Sequence, residues 1–165
     1  MGTLATAFWR RLDVPGHDAA SVRELEDGCE LSGQSTFLDP RGPTALRYVL
    51  TLDGNWVTRA GRITGFIDDR AIDDHIVRSA SGWRINGRAV GMGDILDLDL
   101  GFTPATNMVQ LRRVSLAIGA STSFDFAWHE AGGEELQRLP QEYRRASDYD
   151  YPYCFRSPCL KLPPS

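Results

Sequence analysis

Three separated stretches of this chain place their larger apolar side chains at every second position, and that period of two constrains the fold more than any other feature. Leu46, Tyr48, Leu50 and Leu52 interleave with Arg47, Val49 and Thr51. Phe124, Phe126 and Trp128 interleave with Asp125, Ala127 and His129, and Tyr149, Tyr151, Tyr153 and Phe155 with Asp150, Pro152 and Cys154. Successive side chains of a strand point to opposite faces, so these stretches read as strands with one apolar face. Between them recur the turn-forming segments "LDPRGP", "LDGN", "SASG", "INGR" and "AGGEE". Many short strands separated by such turns predict a mainly β, single-domain antiparallel sheet, strongly curved or a half-barrel enclosing an apolar groove. The 165 residues suffice for one domain with a real core, spanning 1–165. Residues 160–165, with Pro163 and Pro164, read as a surface tail.

Helical periodicity is thin. In "GEELQRLPQEYRRAS", Leu136, Leu139 and Tyr143 have helix-like spacing, but Pro140 interrupts it. An edge strand or one short helical turn is expected there.

Composition and motifs exclude several function classes. A net charge of −4 and a pI of about 5.3 argue against nucleic-acid binding, which needs a basic face. No apolar run reaches the roughly 18 residues of a membrane span. Trp9-Arg10-Arg11 falls where an export signal would need its apolar centre, so a cytoplasmic location is expected. Cys29, Cys154 and Cys159 form no C-x-x-C pair, and His17, His75 and His129 are scattered. Reduced thiols and no metal or other cofactor are the expectation. The acid run Asp68, Asp69, Asp73 and Asp74 beside His75 lacks calcium-loop spacing and reads as a solvated loop. No nucleophile elbow, phosphate loop, dinucleotide fingerprint or zinc-protease motif occurs, so binding is expected in preference to catalysis.

The stretch "DILDLDLGFTPATNMVQLRRV" places two acids and two bases around one loop. With Asp94–Leu100 as one strand and Leu111–Ile118 as the next, antiparallel pairing puts Asp97, Asp99 and Arg113 on one face. Arg113 then reads as their cross-strand ion-pair partner. Arg112 falls among Val114, Leu116 and Ile118, where a charge needs compensation. A buried acid, a ligand rich in oxygen, or a β-bulge that resets the register would each supply it. The loop "GFTPATNMVQ" either bonds to itself or offers Thr103, Thr106 and Asn107 at a cavity rim. Asp97 and Asp99, two apart on one face, also leave open a small hydrolase acting on a sugar-like or lipid ester bond.

These residues resemble the signature of the glycolipid-binding family of bacterial proteins. The family's Asp-x-Asp-Leu, Thr-Pro-x-Thr-Asn and Arg-Arg match Asp97–Leu100, Thr103–Asn107 and Arg112-Arg113. Tyr48, Trp56, Thr58 and Arg59 fit its Tyr–Trp-x-Thr-Arg pattern, and Trp83, Asn86 and Gly87 its Trp-x-x-Asn-Gly turn. The chain departs from it in having Val109-Gln110-Leu111 where a Leu-Pro-Ile step is usual, and in ending "KLPPS" where many members add a further segment. The resemblance implies a curved antiparallel sheet similar to bacterial lipoprotein carriers, and an amphipathic ligand, glycolipid or lipid-like, as partner. The aromatic side chains are suited to an acyl cavity, and Arg112, Arg59, Tyr48, Trp56, Asn107 and Asp97 are residue types suited to a sugar. Two other readings stay open: the aromatics fill a core, or an exposed apolar patch serves a protein partner.

Overall fold

The computed structural model describes residues 2–148 and the backbone of 153–155. Eight strands form an antiparallel meander: β1 (Thr3–Arg10), β2 (Gly16–Leu25), β3 (Gly28–Asp39), β4 (Gly42–Leu52), β5 (Thr58–Ile67), β6 (Arg70–Ser79), β7 (Gly82–Ile85) and β8 (Arg88–Gly91). Each strand pairs with its sequence neighbours, so β1 and β8 are free edges and the sheet stays open instead of closing into a barrel. Register shifts at Thr3/Ala5, Thr51/Leu52 and Trp83/Arg84 interrupt regular pairing, and bulges of this kind bend and twist a sheet.

The turns follow from local chemistry. Asn86 and Gly87 both hold positive φ, 49° and 83°, between the paired residues Ile85 and Arg88. That is the two-residue turn whose twist matches its strands, and Asn-Gly is its preferred sequence. The alternation expected for β4 is observed: Leu46, Tyr48, Leu50 and Leu52 are buried, while Arg47 is exposed. The acid run is not a solvated loop throughout. Asp68 and Asp69 make the β5–β6 turn, but Asp74 lies within β6 and is buried.

The second sheet has the order β12–β11–β10–β9, with β9 (Asp97–Leu100), β10 (Ser121–His129), β11 (Gln137–Arg144) and β12 (Tyr153–Phe155). Pro140 lies inside strand β11, opposite Asp125 of β10, and pairing with β12 begins only at Gln141, past the missing proline N–H. Of the Tyr-rich stretch, Tyr149–Pro152 lie outside the described residues, as do Cys159 and the tail 160–165; for Cys154 the description covers the backbone alone.

The expected hairpin of Asp94–Leu100 with Leu111–Ile118 is corrected. Pro104–Thr106 form a 3-10 turn and Asn107–Arg113 a short helix, α1, so β9 pairs parallel with β10. A parallel pair needs such a crossover. Thr103 starts it: its hydroxyl accepts the Ala105 N–H at 3.1 Å, and Pro104 occupies the first helical positions, where its lack of an N–H costs nothing. Ala105 and Val109, four apart, are buried on one helical side, while Arg112 is exposed. Helical phase, not a strand partner, separates the two arginines.

The core lies between the meander and these later elements. Leu98 packs on Gly61 of β5, and the Trp83 indole donates to the Ile95 carbonyl at 3.1 Å. His129 of β10, fully buried, meets the Asp74 carboxylate at 2.9 Å, and the Gly132 N–H donates to the same oxygen at 2.7 Å.

Candidate functional site

A cavity of about 480 Å³ opens where the ends of β1, β2, β9 and β10 meet the 3-10 turn. Trp9, Trp128 and Phe102 supply its apolar walls, Asp18 and Asp99 its acids, and Asn107 and Arg11 further polar groups. Arg11, Gly101, Phe102 and Trp128 also wall an adjoining cavity of about 250 Å³, which adds the apolar Phe37, Leu46, Ile67 and Ala131 and the charged Asp39, Arg41 and Glu130. The Trp128 indole lies against Gly101, where an added Cβ would stand 2.5 Å from Nε1, so the bare backbone fixes the ring between the two spaces.

Asp18 is held from two neighbouring strands. Ser35, its register partner on β3, donates to Oδ2, and Tyr48 donates to Oδ1 at 2.9 Å. Thr103 in turn donates to the Tyr48 oxygen at 3.0 Å, linking the sheet to the start of the crossover. Tyr48 reaches Asp18 by lying over Gly33, where a Cβ would meet its oxygen at 2.3 Å. Asp99 accepts from Thr106 at 2.9 Å and from the Gln141 amide at 2.7 Å. Tyr143 donates to Gln141 Oε1 and accepts from the Gln110 amide at 2.9 Å.

Both acids are nearly inaccessible, 2% for Asp18 and 5% for Asp99. Burial raises the pKa of each above the ordinary aspartate value, and the hydroxyl and amide donors offset only part of that rise. Burial likewise raises the Tyr48 phenol. The charge of Arg11 reaches Asp18, but its guanidinium forks onto Asp13 at 3.0 and 2.6 Å and lies 4.3 Å above the Phe37 ring. That hydrogen-bonded fork lowers Asp13 to about 2.

The expected site residues fall into three places. Asn107 lines the cavity, and Tyr48, fully buried behind it, holds the lining residue Asp18 without lining the space itself. Arg112, Trp56 and Asp97 gather in a second cluster around Arg113. Arg113 forks onto Asp97 at 2.6 and 2.5 Å and donates to the Trp56 carbonyl at 3.0 Å. Arg112 is exposed and 5.8 Å from the Trp56 ring, so it does not sit among aliphatics. Arg59 pairs with Asp27 at the open surface, 2.8 Å away. Arg113 therefore partners Asp97 as expected but not Asp99, whose partners are neutral.

Sequence reasoning did not single out Trp9, Trp128, Phe102, Arg11 or Asp18 as site residues. One signal was present: Ala5, Ala7 and Trp9 fall on one face of a strand in "ATAFWRR", with Thr6 and Arg10 on the other, as on a half-buried strand. A third concavity, about 450 Å³, lies on the outer face of β4–β6 beside Arg47, Arg62 and His75. Its walls include the short side chains Val49, Thr51, Ala60 and Thr64, and it has no buried charged side chain, so it offers less to orient a ligand.

A curved open β-sheet with two adjoining cavities at one end, sharing the Phe102 and Trp128 wall, defines the structural class. Residues 6–161 match the family described as "Putative glycolipid-binding", and the chain belongs to that family. The structure is similar to the crystal structure of a DUF1089 family protein from Pseudomonas aeruginosa, with a TM-score of 0.71 and 25% identity over 96% of this chain and 86% of that one. No curated protein matches the chain. No helix among the described residues is long and apolar enough to cross a membrane.

Proposed function

We propose that the protein binds an amphipathic ligand, glycolipid or lipid-like, across the two adjoining cavities. The polar head occupies the space lined by Asp18, Asp99, Asn107, Trp9 and Trp128. The apolar portion passes Trp128 and Phe102 toward Leu46 and Ile67. The observation that carries this reading is the shared wall: Phe102 and Trp128 border both spaces, the first holds two buried acids beside aromatic faces, and the second combines the apolar Phe37, Leu46 and Ile67 with a charged rim of Asp39, Arg41 and Glu130. The family's description supports the ligand class, and the combined volume lies in the range of small-molecule sites.

The test is native mass spectrometry of the purified protein, paired with a lipid panel read by Tm and tryptophan fluorescence. A bound lipid, or a Tm rise that Trp128→Ala abolishes, supports the proposal. No retained lipid and no response to any panel member would sink it.

A further inference from the structure

We infer that the polar head carries a positive charge: the cavity takes an ammonium-bearing amphiphile in preference to a neutral or anionic one. This rests on the amphiphile-binding reading of the same cavity and narrows its ligand class.

The first argument is charge balance. Arg10, Arg11, Asp13, Asp18 and Asp99 are the charged side chains that line the cavity. Arg11 is neutralised by its fork onto Asp13, and Arg10 is exposed at the rim. The deep part holds two carboxyls whose hydrogen-bond donors are all neutral: Ser35 and Tyr48 for Asp18, Thr106 and Gln141 for Asp99. Buried carboxylates ordinarily form an ion pair, and neither of these does so among the described residues: Arg11, whose charge reaches Asp18, directs its fork onto Asp13.

The second argument is unused acceptor capacity. A carboxylate offers about four acceptor directions. Each of these four oxygens takes one bond from the protein. Even with the Thr103 hydroxyl near Asp18, acceptor capacity is left over on both. An ammonium is a donor with no acceptor, so it complements these oxygens. A sulfate or phosphate head, acceptor-only at neutral pH, would meet them with like charge.

The third argument is the walls. Trp9, Trp128 and Phe102 border the same space, and aromatic faces attract cations, tryptophan most strongly. Walls of this kind around two anionic groups make a cage for an alkylammonium or amino-sugar head.

The test uses octylammonium, octyl glucoside and octyl sulfate, below their micelle thresholds, titrated into the full-length protein by calorimetry at neutral pH. The expected result is octylammonium binding about tenfold more tightly than the glucoside, with the sulfate weakest. Asp18→Asn with Asp99→Asn should remove the preference; the wild-type ranking stands as a test even if that variant fails to fold. A glucoside or sulfate that binds as tightly as the ammonium overturns the charge inference and leaves amphiphile binding standing. Failure of all three to bind overturns both.

Discussion

Replacing Arg113 by alanine should destabilise the protein far more than replacing its neighbour Arg112. Arg113 makes a two-pronged contact with Asp97 and a third bond to the Trp56 carbonyl. The Asp97 side chain keeps 4% of its exposure and that of Arg113 18%. Without the guanidinium, Asp97 is a nearly buried carboxylate with no other ion pair among the described residues. Removing one member of a buried pair costs about 3–5 kcal/mol, and the partial exposure of Arg113 lowers this to about 2–3 kcal/mol. At roughly 2–4 °C per kcal/mol for a domain of this size, Tm should fall by about 5–10 °C. Arg112 is exposed and 5.8 Å from the Trp56 ring. An exposed cation–π contact at that range stabilises by about 0.5 kcal/mol, so Arg112→Ala should move Tm by about 1–2 °C. Arg113→Lys, which keeps the charge and loses the fork, should fall between them. Thermal and urea unfolding of the three variants measure this directly. Equal losses at 112 and 113, or a larger loss at 112, would refute the helical placement and restore the strand in which Arg112 points inward.

Other predictions follow from close packing and from the buried acids. Gly33→Val should cost about 1–3 kcal/mol, because its Cβ would meet the Tyr48 oxygen at 2.3 Å and the Ala19 carbonyl at 2.6 Å; urea unfolding reads the loss, and an unchanged midpoint would contradict the packing of Tyr48 over this strand. Gly101→Ala should displace the Trp128 indole and shift the tryptophan emission spectrum of the folded protein, while an unaltered spectrum would contradict the contact. The raised folded-state values of Asp18 and Asp99 set the sign of a pH effect. The native state binds protons more tightly at these groups than the unfolded chain does. Their contribution is therefore fully present below the ordinary aspartate value of about 3.9, and is lost as pH rises through the folded value. Relative to Asp99→Asn, the wild type should thus be more favoured near pH 4 than near pH 7.5 in urea midpoints, and a difference independent of pH would refute it.

The strands were legible where one face is buried and a short turn follows. Leu46 to Leu52 shows this, as does Asn86-Gly87, because period-two burial and turn chemistry are local properties. The helix Asn107–Arg113 was not, although Thr103-Pro104 carries a helix-start signal; the β-branched Val109 and Val114 and the charged pair between them fit a strand equally well at that length. The ion pair of Arg113 with Asp97 was foreseen for the wrong geometry, since a strand partner and the end of a short crossover helix both bring that arginine to β9. The cavity was the least legible feature. Asp18 and Asp99 lie 81 positions apart, and Trp9 and Trp128 119 apart. Only the closure of β9 and β10 against β1 and β2 brings them to one space. Of the residues expected to touch a ligand, Asn107 lines this cavity because it belongs to the crossover that builds it, while Tyr48 of the central strand lies behind it and reaches it only through Asp18. Arg59 sits at an exposed strand end, where its pairing with Asp27 is a surface matter.

A crystal structure with a bound short-chain amphiphile tests the central claim most directly. The account predicts the head within hydrogen-bonding distance of Asp18 and Asp99, between Trp9 and Trp128, with the chain running past Phe102 toward Leu46 and Ile67. A ligand seated instead on the outer face of β4–β6, beside Arg47, Arg62 and His75, would contradict it.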